Sequence, residues 1–346
     1  MIKDSFGKIL FFSKERFEKD IVQGNHCFIC GASPSEKNFN SEHVIPDWIL
    51  RKYKLHDKSI YLPNMTTVKY GQYKIPCCVE CNGLLSKEFE EPISKIIEGG
   101  YDSVSEYLKT EGPWLIFQWL SLIFFKTHLK TTSFRLFRDK RKPNDKISDL
   151  IFWESMHHIH SVVRSFYTQA DLSSKVLGSM LLIPLKKDNF FEEFDYGDNF
   201  EGKGIMIRLG DIGLVAILND SCGALNFFMN DFKKITSPIS TLQLREIMSR
   251  LSYINTNIKV RPNYYSSFYD KKYRIDAEIP ETLELKDNGY IKYGDILYTS
   301  CNNIVKSLSN ENTEFILTKL KEGNYSFLFD SHGNFIENSV ILKNDD

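Results

Sequence analysis

Two cysteine pairs, Cys27-Phe-Ile-Cys30 and Cys78-Val-Glu-Cys81, constrain this chain more than any other feature. Each is a Cys-x2-Cys knuckle, and two knuckles supply the four thiolates of a tetrahedral structural zinc. Cys77 adjoins the second knuckle, but its spacing to Cys81 is one residue too wide, which favours Cys78 as the ligand. Between the pairs stands Ser41-Glu42-His43-Val44-Ile45-Pro46, and Asn82 follows the last cysteine directly. A metal on the four sulfurs would hold these polar residues close in space.

The rest of the composition sets limits on what such a site can serve. At 346 residues, about two domains are expected. An apolar fraction of 42% and an aromatic fraction of 14% suffice for real cores, with 26% charged residues to keep the surface wet. Net charge is -1, and the first hundred residues carry 14 Lys and Arg against 13 Asp and Glu. Nucleic-acid binding must therefore come from local patches, which argues against a high-affinity, non-specific DNA binder. Five of the seven cysteines fall between positions 27 and 81, which reads as metal binding in a reducing compartment and not as a disulfide scaffold. The charged N-terminus, Met1-Ile-Lys-Asp-Ser-Phe-Gly-Lys, has no export signal, so a cytoplasmic location is expected. The most apolar stretch, Trp114 to Phe125, is shorter than the roughly 20 residues of a membrane span and reads as a buried helix.

Along the chain, residues 1–100 hold the cysteine and histidine constellation, 101–170 a helical segment, and 171–346 a mixed α/β domain. After Cys81 the apolar spacing fits a helix, bent or restarted near Pro92 and broken at Gly99 and Gly100. From Val176 onward short β-rich runs alternate with turn signals, and one helix interrupts them from Thr241 to about Tyr253. Gly210-Asp-Ile-Gly lacks the context of a phosphate loop and reads as a turn between strands.

The constellation offers the parts that single-metal phosphodiester hydrolysis requires. His43 is the candidate general base, since a neutral imidazole accepts a proton near neutral pH. Glu42 and Asn82 offer the hard oxygen ligands that Mg2+ or Mn2+ prefers, separate from the closed zinc on Cys27, Cys30, Cys78 and Cys81. Neighbours on a flat strand point to opposite faces, so Glu42 and His43 could share a phosphate only from an irregular strand end or bulge. Helix phase after Asn82 selects Glu90 as the one further acid near its face.

The order Cys-x2-Cys, Glu-His, Cys-x2-Cys-Asn resembles the HNH (His-Me finger) endonucleases, in their zinc-bearing branch. The match covers Cys27 to near Glu90. It implies an α+β protein with an N-terminal, zinc-stabilised ββα-metal module, followed here by a helical middle and a mixed β-rich C-terminal domain. The resemblance further implies DNA as substrate, His43 as base, Glu42 as the acidic ligand and Asn82 as the ligand after the last cysteine. Two departures are visible. The family more often has Asp before the histidine, and its middle Asn or His has no secure counterpart here, Asn64 being the one candidate.

Such modules fused to a larger domain resemble bacterial anti-phage defence effectors. On that likeness the C-terminal domain would sense a ligand or defence-system partner, or drive homo-oligomer formation. Two other readings stay open: a non-catalytic zinc knuckle that binds nucleic acid or protein, and a structure-selective junction resolvase. Among other polar residues, His26 reads as a surface residue or as one that backs the neighbouring cysteine ligand, and Cys222 and Cys301 as buried apolar ones. His157 and His160 lie three apart on a helix but lack a nearby acid or cysteine for a second metal site. The basic run Arg135 to Lys142 reads as a solvated loop or a contact to DNA phosphates.

Overall fold

The computed structural model describes residues 1–187, 192–269, 272–287, 291–308 and 312–337. It is a mixed α+β protein of two compact units, each assembled from separate stretches of chain. Met1–Ile96, Pro113–Val176 and Tyr264–Ala277 form the first, and Ile97–Gly112, Leu177–Asn263 and Glu278–Asp346 the second. The helical segment expected over 101–170 is thus divided, with Pro113 onward belonging to the cysteine-bearing unit.

In the first unit, strand β1 (Phe39–His43) is followed by the short helix α1 (Asp47–Lys52), strand β2 (Lys74–Cys78) and helix α2 (Val79–Leu85). β1 and β2 are antiparallel in an unbroken register, from Phe39 opposite Cys78 to His43 opposite Lys74. α2 runs on through a π-helical segment, Ser86–Glu90, into Glu91–Glu98. Pro92 has no N–H to continue an α-helix, and the wider turn before it, where Glu91 N–H reaches the Ser86 carbonyl, absorbs the break.

Helix α3 (Trp114–Lys130) is buried almost all round, including Lys126 and His128, as its lack of a polar face dictates. Its Trp119 stacks on Trp48 of α1, with ring centres 6.5 Å apart. Helix α4 (His157–Thr168) completes the unit's helical layer; it ends at Gln169, whose left-handed φ of 57° closes the last turn.

The second unit is built on a four-stranded antiparallel sheet of β3 (Met180–Pro184), β4 (Phe194–Asn199), β5 (Gly204–Leu209) and β6 (Ile212–Ile217), in the order β3-β6-β5-β4. The two central strands are buried at every position, matching their unbroken apolar sequences. Gly210, with φ of +66°, supplies the two-residue turn between them. Helix α5 (Thr241–Asn257) starts with a Ser240–Gln243 capping box and packs its Leu244, Ile247, Met248 and Leu251 with the sheet residues. Glu246 on this helix is fully buried, and its carboxylate accepts from Phe327 N–H, Leu328 N–H and the Ser326 hydroxyl. No helix among the described residues is long and apolar enough to cross a membrane.

Candidate metal centre and the histidine end of the strand

The two knuckles meet as their spacing demands. Cys27 and Cys30 sit in a tight turn closed by the Gly31 N–H on the Cys27 carbonyl at 2.8 Å, with Gly31 in the left-handed region. Cys78 ends β2 at the cap position of α2, and Cys81 lies in the first turn of that helix. All four are buried, and their Sγ atoms lie within 4.8 Å of one another. Zn–S bonds of about 2.3 Å in a tetrahedron place sulfurs about 3.8 Å apart; Cys30 and Cys78 Sγ are at 3.7 Å. Cys77 Sγ stands 3.8 Å from Cys27 Sγ but is outside the four-sulfur group.

Crowding governs the protonation of these thiols. Hydrogen bonds from Cys30, Cys77 and Cys81 hold the Cys27 pKa far below its ordinary value. The Cys27 contact in turn pushes Cys30 up to about 12, and Cys81 rises further for the same reason. Four buried thiolates repel one another unless a cation stands among them, so the donor set fits a structural metal ion.

Helix α4 clasps the first knuckle by its backbone. His160 Nε2 donates to the Phe28 carbonyl at 2.7 Å, and Arg164 Nε to the Ile29 carbonyl at 2.6 Å. Arg164 also holds the Ile9 and Leu10 carbonyls, while His157 Nε2 donates to Phe12 at 2.7 Å. The His157 and His160 pair therefore braces backbone instead of forming a second metal site. Burial lowers the pKa of both rings, which keeps them neutral and donating. Arg164 was not legible as part of this centre: nothing in the sequence separates it from a surface arginine.

At the other end of β1 the side chains part. The regular ladder turns Glu42 and His43 to opposite faces, without the bulge that a shared site would need. Glu42 is buried, and Lys126 Nζ donates to its Oε1 at 2.5 Å and to the His43 carbonyl at 2.7 Å. The expected acidic ligand is thus the counterion of a lysine in the core. Asn82 Nδ2 donates to Asn40 Oδ1 at 2.8 Å, pinning α2 to β1. Asn64, the candidate middle residue, caps its own turn through Thr66 and reaches the Arg135 carbonyl.

Glu90 lies in the π-helical segment with Lys126, Glu42, Asp47 and Arg51 as charged neighbours. Burial pushes its carboxyl pKa up to about 7.

His43 instead meets two residues that motif reading missed. Pro46 starts α1 immediately after the strand, which brings Asp47 back beside the imidazole: His43 Nε2 to Asp47 Oδ1 is 3.8 Å. His56 Nε2 lies 2.9 Å from the same oxygen, and Arg51 pairs with Asp47 Oδ2 at 2.7 Å. One ligand atom from each of His43, Asp47 and His56 lies within 4.8 Å of the others. Burial works against the Asp47 carboxylate, but His56, Arg51 and His43 outweigh it and keep its pKa low. Burial, aided by Lys74, lowers the His43 pKa, so the ring is neutral at pH 7. The signal available in sequence was the Pro-Asp step after His43; His56 gave none.

Comparison of the chain with protein-family models, curated proteins and solved structures finds no match. The basic run folds on itself: Arg135 donates to the Lys142 and Pro143 carbonyls, and Arg141 pairs with Asp139.

Proposed function

We propose that the first unit is a divalent-metal-dependent nuclease, with a structural zinc on Cys27, Cys30, Cys78 and Cys81 and His43 as general base. The observation that carries this reading is the half-buried, neutral His43 beside Asp47 and His56, at the end of a strand whose other end joins the cysteine cluster. A neutral imidazole flanked by a carboxylate is suited to taking a proton from water.

In this reading the hard oxygen ligand for Mg2+ or Mn2+ moves from Glu42 and Asn82 to the Asp47 carboxylate, with the softer His56 imidazole beside it. Glu42 is committed to Lys126 and Asn82 to Asn40, whereas Asp47 Oδ1 and His56 Nε2 converge next to the base. When bound, the ion would polarise the phosphoryl oxygens and stabilise their growing charge. His43 Nε2 removes a proton from the attacking water; the water oxygen bonds to phosphorus as the ester oxygen departs and takes a proton from solvent. Arg51 holds Asp47 in place. DNA as the preferred substrate rests on the motif order alone.

The test is cleavage of duplex DNA, single-stranded DNA, RNA and a four-way junction with Mg2+ or Mn2+, using the wild type and Asp47→Asn. Activity that needs the ion and Asp47 supports the proposal. Wild-type protein that holds zinc and cuts none of these substrates would make the unit a binding module.

A further inference from the structure

A cleft of about 460 Å³ opens in the first unit beside β2, between the segment 21–26, the end of α3 and residues 146–149. Three lysines line it, Lys74, Lys130 and Lys146, against one acid, Asp149. Asp149 is already used, because its Oδ2 accepts from the Lys146 backbone N–H at 2.7 Å. Neither Lys74 nor Lys130 pairs with a carboxylate among the described residues. Lys130 Nζ stands 5.1 Å from the centre of the Phe134 ring, and burial lowers its pKa. A partly desolvated ammonium without a counterion gains from an arriving anion.

Lys74 connects this cleft to the candidate site. It is the register partner of His43 across the β1–β2 ladder, so the two side chains share one face. His43 does not itself line the cleft, so Lys74 is the residue that links the two, and Lys130 and Lys146 share the cleft's lining with it. Three ammonium groups in one cleft, one of them the strand partner of the proposed base, suit a repeating anion.

We infer that this cleft holds the phosphates of a nucleic-acid strand on one side of the scissile bond, with Lys74 gripping the phosphate nearest His43. The inference rests on the nuclease reading of His43 for the location of the scissile bond. It adds the path of the strand, which the cysteine and histidine motifs do not indicate. It also places the main electrostatic contact away from the basic run at Arg135 to Lys142.

The test uses the full, zinc-loaded chain with no added magnesium or manganese, and fluorescence anisotropy of a labelled single-stranded oligonucleotide across a salt series. Each phosphate contact contributes about 0.7 to the slope of log affinity on log salt for single strands. The double variant Lys74→Gln/Lys130→Gln should lower that slope by about 1.4 and weaken binding about tenfold. Lys146→Gln, a single change at the cleft's other wall, should lower it by about 0.7. Lys109→Gln, on an exposed helix of the second unit, should match the wild type. An unchanged slope in the cleft variants, or no binding by the wild type, would overturn the inference. The two readings fail separately. Lysine-dependent binding with no cutting after Mg2+ is added leaves the cleft and removes the catalysis; cutting at wild-type rate by the double variant does the reverse.

Discussion

Lys126 Nζ and Glu42 Oε1 form an ion pair 2.5 Å long in which both side chains are almost wholly buried, at 1% and 6% exposed. The same ammonium donates to the His43 carbonyl, so one lysine on α3 fixes both the direction of Glu42 and the backbone that presents His43. This pair commits Glu42 to the fold, while His43 points from the opposite face of β1.

Removing one member of the pair should therefore be costly. Lys126→Met strands a buried carboxylate and is expected to destabilise the first unit by about 3–5 kcal/mol in urea unfolding. The double variant Lys126→Met/Glu42→Leu should recover most of that loss, because neither charge remains. If Glu42 were instead a metal ligand, the double variant would abolish metal-dependent cutting while folding normally.

Cysteine substitution separates ligand from neighbour. If the four-sulfur group holds zinc, Cys78→Ser should lose it and unfold the unit, since zinc ligation contributes on the order of 10 kcal/mol in small zinc domains. Cys77→Ser should retain one zinc per chain by atomic absorption. A reversal of these outcomes would assign the fourth sulfur to Cys77.

Glu90 gives a pH signature. Its folded pKa of about 7 lies above its ordinary 4.5, so the folded state binds a proton more tightly than the unfolded one. Its contribution to stability is thus fully present below about pH 4.5 and falls as pH rises through about 7. Glu90→Gln should gain on the wild type in denaturation midpoint between about pH 5 and about pH 8. An equal difference at both pH values would show that the carboxyl is solvated.

On the nuclease reading, the lowered pKa of His43 would fix the acidic edge of activity. A base that stays neutral further into acid places the acidic limb of the pH–rate profile below pH 6.5, the ordinary histidine value. A limb above that value would point to a different base.

The parts of this molecule that were legible in sequence are those governed by short spacing. Two Cys-x2-Cys turns predict the cluster of Cys27, Cys30, Cys78 and Cys81, because each knuckle carries its own geometry. The apolar run from Trp114 predicts a buried helix, and the short β-rich runs after Val176 give the four-stranded sheet of the second unit. The fate of Glu42 was not legible, because its partner lies 84 residues away on α3 and looks in sequence like an ordinary helix lysine. Alternation along β1 already implied that Glu42 and His43 diverge; only the unbroken register shows that no bulge reunites them. His56 escaped for a similar reason, since only the fold brings it to Asp47, whereas the Pro-Asp step four residues past His43 was the one mark that Asp47 left.

The most direct test of the account is the single-turnover rate of oligonucleotide cleavage with Mg2+ or Mn2+ by the wild type and by His43→Ala, with zinc content measured on both. Loss of a general base should slow the variant by about 10²–10⁴-fold while one zinc per chain and the folded state are retained. Equal cleavage by the two proteins, at equal zinc content, would contradict the assignment of His43 as the base.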